Sequence, residues 1–189
     1  ALRTALRVPA LLVLLGVVVI GFAGPPGTAD NLAPWLFYIP FWAGLVPLSL
    51  LFGPVVRVLN PLRLAHAGLA ALLRVDPVAG LRSTPARLGY WPAAASLAAF
   101  AWFELVAPAR ADPPAVAAFV SVYAVAHLGA AVVFGSSWFE RCDGFEVYST
   151  LLGGLAPVGR LPDGRLGLRN PLDGLDSVVP GPGLVGVLV

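Results

Sequence analysis

Apolar residues run along this chain in long blocks separated by short clusters of Arg, Asp, Gly and Pro, not in the one-faced or alternating patterns of a soluble domain. A helix that crosses a bilayer needs about 20 mostly apolar residues at a rise of about 1.5 Å each. Four blocks answer to that length: 8–24, 32–52, 92–107 and 116–134. Arg3 and Arg7 flank the first and can snorkel toward headgroups. Trp35 and Tyr38 anchor the start of the second, where Pro40 and Pro47 predict kinks. Tyr90 and Trp91 precede the third, and Asp112-Pro113-Pro114 opens the fourth. The run 183–189 begins a fifth. The pattern predicts an all-α integral membrane protein: four transmembrane helices plus a truncated fifth in a single membrane domain, 1–189, cut from a longer chain.

Arginine placement predicts the orientation, because basic residues concentrate in the short loops on the inner side. The first flank carries two arginines, 25–31 none, 53–91 five, 108–115 one and 135–182 four. The alternation puts the N-terminus inside and eleven of the twelve arginines on one side of a plasma membrane. Helices buried in a soluble core predict no such alternation, and a cleaved signal peptide is a poorer reading of the first block.

Composition agrees. The chain is 58% hydrophobic and 12% charged, about half the charged share of a soluble domain. A net charge of +2 is too small to point to nucleic acid. One cysteine, Cys142, excludes an intrachain disulfide.

The two long Arg-rich segments have patterns of their own. Asn60-Pro61 reads as an N-cap with proline at the first helical position. Leu62, Ala65, Leu69, Leu72 and Leu73 then form one face, with Arg63, His66, Ala70 and Arg74 on the other. This predicts an amphipathic helix on the inner interface, with Arg63, His66 and Arg74 contacting anionic lipid headgroups. Asp143-Gly-Phe-Glu146 reads as a capping box starting a second amphipathic helix with Phe145, Tyr148, Leu152 and Leu155 on one face, broken at Gly153-Gly154. Leu161-Pro162-Asp163-Gly164-Arg165 predicts a type I turn in a small hairpin.

Few residues within the blocks carry chemistry. His127 lies about 17 Å into the fourth helix, near mid-bilayer, with Tyr123 four residues earlier on the same face. Glu104 lies toward the outer end of the third, about 11 Å from His127 along the normal. Together they form a candidate intramembrane polar site, since a charge at that depth is costly unless used. The bland alternatives are a neutral His127 hydrogen-bonded to Tyr123, a helix carbonyl or a neighbouring helix, and a Glu104 reaching the outer surface. Cys142 beside Arg141 is either an activated thiol or an inert one. Glu140, Asp143 and Glu146 are a weak cation-binding set, because capping already employs two of them. The alanine pairs at 94, 95, 98, 99, 126 and 130 predict close packing of the third and fourth helices. No phosphate loop, nucleophile elbow or metal-ligand motif is present, and no cofactor or metal is implied.

The stretches Asn31-Leu32-Ala33-Pro34, Phe52-Gly53-Pro54 through Leu62-Arg63, Pro85 through Pro92, Asp143 through Tyr148, and Leu168 through Leu172 resemble an actinobacterial family of polytopic membrane proteins often labelled fenitrothion hydrolase. The resemblance covers most of 31–175 and implies a longer parent with further membrane helices. Three functions follow as expectations: a permease-like or scaffold subunit working with other membrane subunits, a membrane-embedded hydrolase, or a lipid-interacting structural module.

Overall fold

The computed structural model describes residues 2–160, 165–168, 170, 174 and 178–188. Helix α1 (Leu2–Ala23) is followed by α2 (Leu32–Leu36), a π-helical segment (Phe37–Ala43) and α3 (Gly44–Phe52), which run on as one rod. Short α4 (Val55–Leu59) and α5 (Pro61–Leu73) come next, then α6 (Trp91–Leu105), α7 (Pro113–Phe134), α8 (Trp138–Cys142) and α9 (Gly144–Gly154). A two-stranded antiparallel hairpin pairs β1 (Val158–Arg160) with β2 (Leu166–Leu168), and α10 (Leu184–Leu188) closes the described chain. The expected hairpin is therefore present, while its turn, 161–164, lies outside the described residues.

Three helices are long and apolar enough to cross a membrane: Leu2–Ala23, Leu32–Phe52 and Pro113–Phe134. Only 11%, 17% and 28% of their apolar windows are buried inside the fold, so most of that surface faces outward. This inverts the ordinary burial of large aliphatic side chains. Helix α6, expected over 92–107, has 15 residues and is about 22 Å long.

One asparagine ties the first two rods together. Asn31, fully enclosed, accepts from Ala33 N at 2.9 Å to cap α2 and donates to the carbonyls of Ile20 and Pro25, closing the end of α1. At Pro40 the missing N–H and the ring's clash with the preceding turn take the form of the π-helical segment rather than a simple kink. Helices α1 and α7 are antiparallel and so close at Gly21 that a Cβ there would sit 2.6 Å from Ala117 Cβ and 2.8 Å from Pro113 O.

The aromatic rings of Phe37, Phe41, Trp42, Phe100, Phe119 and Phe145 form the central core, with Trp42 4.5 Å from Phe100 and Phe41 4.8 Å from Phe145. Phe103 stacks on Phe119 at 4.7 Å and joins α6 to α7. Each such pair adds about 0.5–1.5 kcal/mol beyond its area.

Two local expectations are corrected. The buried face of α5 is Leu62, His66 and Ala70, while Leu72 and Leu73 are exposed. The reason is that α5 packs on α1 and α7 and Arg63 finds its partner in Glu146 of α9, so the polar side turns inward and the apolar tip faces outward. Helix α9 is not an interfacial helix with one apolar face, since Phe145, Glu146, Val147, Ser149 and Gly153 are all buried. It fits because a Cβ on Gly144 would meet Ser96 Oγ at 2.5 Å, and one on Gly153 would meet Pro54 N at 2.6 Å. The helix ends at Gly153-Gly154, as expected.

The alanine stripe does not zip α6 to α7. The small face of α6 takes α9 at Gly144 and α10 at Gly186, whose added Cβ would lie 3.3 Å from Ala94 Cβ. Backbone against backbone is closer than alanine against alanine, so α6 is drawn toward them. Between α6 and α7 remains a cleft of about 390 Å³ lined by Ala95, Ser96, Ala99, Ala126, His127 and Trp138.

Candidate functional site

The turn before α5 and the start of α9 meet at one end of the helix bundle. Asn60 caps α5 by accepting from Leu62 N at 2.9 Å. Its amide nitrogen donates to Asp143 Oδ2 at 2.9 Å and to Glu146 Oε2 at 2.8 Å, so both carboxylates share one amide. Arg63 donates to both oxygens of Glu146, at 2.8 and 2.6 Å, a charge-assisted fork. The Glu146 side chain is fully buried and that of Arg63 13% exposed. Burial depresses the Arg63 pKa, but the hydrogen bonds and charge of Glu146 outweigh it and hold the value above that of an ordinary arginine.

Asp143 caps α9, accepting from Glu146 N at 3.2 Å. The return half of the expected capping box is not made, because Glu146 is drawn to Asn60 and Arg63. The other contact of Asp143 Oδ1 is the Tyr123 hydroxyl, which donates at 2.6 Å. Asp143 thus holds three hydrogen bonds from neutral donors, while Arg63 is engaged by Glu146. Arg57 and Glu140, 2.9 Å apart and nearly half exposed, form the outer rim. Such a pair is worth about 0.2–1 kcal/mol. Arg7 donates to the carbonyls of Val58 and Arg57 at 3.2 Å each, capping α4 instead of snorkelling away.

Above this cluster opens an apolar cleft of about 290 Å³ between α1, the π-helical segment, α3, α4 and α7. Phe37, Phe41, Phe119, Tyr123 and Phe145 form much of its wall, and Asn60 and Asp143 its floor. Tyr123 and Phe119 also line the α6–α7 cleft, so they stand as a partition between the two cavities.

Of the candidates named from the sequence, Tyr123 and His127 come together, with ring centroids 4.3 Å apart. His127 Nδ1 accepts from Trp138 Nε1 at 3.0 Å, which leaves the ring's proton on Nε2 if the imidazole is neutral. Glu104 is partly exposed near the opposite end of α6 and does not join them. Arg63 and His66 are not presented to headgroups: Arg63 is held by Glu146, and His66 is 2% exposed with its ring 5.8 Å from Phe139. Arg74 is exposed, in a left-handed conformation that ends α5. Burial lowers the His66 pKa, with the Ala131 carbonyl opposing and the Arg63 charge adding to that direction. Cys142 is buried, and loss of solvent pushes its thiol up to about 12, the inert alternative. Asp143, Asn60 and Glu146 are the residues that sequence reading undervalued. Their signal was the pair of cap motifs, Asn60-Pro61 and Asp143-Gly-Phe-Glu146, read separately as local devices.

Among the described residues no three of His, Cys, Asp and Glu stand together as a metal-binding set. No family model, curated protein or solved structure matches the chain.

Proposed function

We propose that this chain is a polytopic protein of a bacterial cytoplasmic membrane, crossing it four times with its N-terminus inside, and that it acts as a permease-like subunit. Its binding site is the cleft between α1, the π-helical segment and α7. The observation that carries this reading is an apolar cleft ending on a buried ionic cluster, beside a π-helical break of the kind that often marks a functional site.

The four-span arrangement is supported by which loops meet. Thr28 Oγ1 donates to Ala111 O at 3.1 Å, joining the arginine-poor loops at one end, and Tyr38 Oη of the π-helical segment donates to Arg110 O at 2.8 Å beside them. Arg7, Arg57 and Arg63 gather at the other. Trp91, Trp102, Leu105 and Val106 are all more than half exposed, which suits α6 to a lipid surface despite its length.

The test is binding of naphthalene to the full chain in lipid nanodiscs. Saturable binding at one site is expected, and Leu14→Trp, which fills the cleft, should abolish it while the circular dichroism is unchanged. Naphthalene binding that survives the substitution would contradict the assignment of the cleft.

A further inference from the structure

We propose that the occupant of this cleft is a lipophilic organic cation. The inference rests on the cleft reading above and adds the charge of the ligand. Two features carry it, and they are independent of each other.

The first is the bonding of Asp143. Asp143 is 2% exposed and forms part of the cleft floor. Its three donors are Tyr123 Oη, Asn60 Nδ2 and Glu146 N, all neutral. Arg63, whose charge reaches Asp143, donates to Glu146 and not to Asp143, and Arg57 pairs with Glu140. Arg7 brings a third positive charge to this end, so the cluster is balanced overall, three arginines against three carboxylates, and what Asp143 lacks is a cation bonded to it directly. A carboxylate has about four lone-pair sites, and Asp143 fills three of them. Burying a carboxylate with no cation bonded to it is costly, and a cation arriving in the cleft would lower that cost.

The second is the wall. Phe37, Phe41, Phe119, Tyr123 and Phe145 present rings around the cavity. Aromatic faces attract a cation within about 6 Å of the ring centre, by about 2 kcal/mol or more when it is desolvated. A neutral hydrocarbon gains nothing from Asp143 and leaves the floor charge buried. An anion would face Asp143 directly and is disfavoured. An apolar cation satisfies the floor and the wall at once. The volume, about 290 Å³, is roughly ten water volumes, which limits the buried part of the ligand to one ring and a compact head.

The experiment compares benzyltrimethylammonium with neopentylbenzene, its neutral isostere, in which carbon replaces the quaternary nitrogen. Binding of each is measured by titration calorimetry on the full chain in nanodiscs of neutral lipid. The cation is expected to bind at least tenfold more tightly than the isostere. Asp143→Asn keeps an N-cap residue for α9 and should erase that preference while leaving neopentylbenzene binding within twofold. Phe41→Leu, which leaves the ionic cluster intact, should weaken the cation several-fold more than the isostere, and it decides the matter where the Asp143 variant does not fold. Equal affinity for the two probes in the unaltered chain would overturn the cation proposal and leave the cleft reading standing. Failure of both probes to bind would overturn the cleft reading itself.

Discussion

The Tyr123 hydroxyl donates to Asp143 Oδ1 at 2.6 Å, tying the middle of α7 to the first turn of α9. Through that bond the long helix reaches the cluster of Asn60, Arg63 and Glu146, and the same two residues border the apolar cleft. Stability and the proposed ligand binding therefore draw on one set of side chains.

Removing one partner of the buried pair should be far costlier than removing both. Arg63→Ala leaves Glu146 buried without its cation and is expected to cost about 3–5 kcal/mol, read as a lowered thermal midpoint in detergent. Arg63→Met with Glu146→Leu should recover much of that loss. A single substitution as mild as the double one would show that the pair is not effectively buried.

Helix packing at Gly21 gives a second contrast. Gly21→Val places atoms where Ala117 and the Pro113 carbonyl already stand, and about 1–3 kcal/mol of destabilisation is expected. Gly16, on the same helix, has nothing within 4 Å of an added Cβ, so Gly16→Ala should not destabilise. Equal effects at the two positions would contradict the close α1–α7 contact.

His66 should make stability depend on pH. Its folded pKa lies below the unfolded value of about 6.5, because burial disfavours the imidazolium and the Arg63 charge adds to this against the Ala131 carbonyl. Its contribution is then present above about pH 6.5 and lost as pH falls through the lowered folded value. Unfolding midpoints from pH 8 to pH 5 should fall more steeply for the unaltered chain than for His66→Gln. Parallel curves would remove His66 from this role.

Cys142, buried with a pKa near 12, should resist maleimide at pH 8 in the folded chain and react once the chain is unfolded. Rapid labelling of the native protein would place the thiol at the surface instead.

The long apolar blocks were legible because their signal is local: twenty apolar residues in a row need no tertiary context. Helices α1 and α7 and the rod from α2 to α3 follow directly from it. The cap at Asn60 and the one at Asp143 were legible for the same reason. What periodicity does not carry is the partner. Arg63 and Glu146 lie 83 positions apart, so nothing in either helix alone tells that the charged side of α5 turns inward. The alanine stripe misled similarly: it marks a surface suited to close approach, and Gly144 and Gly186 occupy that surface ahead of α7. Glu104 and His127 were grouped because they are the ionisable residues within the apolar blocks, whereas the structure joins His127 to Trp138, eleven residues along the chain.

The proposed topology puts the arginine-rich end of the bundle inside the cell and the loops at 24–31 and 106–112 outside. Leu81 and Asp112 are exposed at these opposite ends. Each is replaced by cysteine in turn, Leu81→Cys and Asp112→Cys, and intact cells expressing the full chain are treated with a membrane-impermeant maleimide. Labelling of the Asp112 variant alone, with the Leu81 variant labelled only after the membrane is opened, is the expected result. Labelling of both variants in intact cells, or of neither, would contradict it.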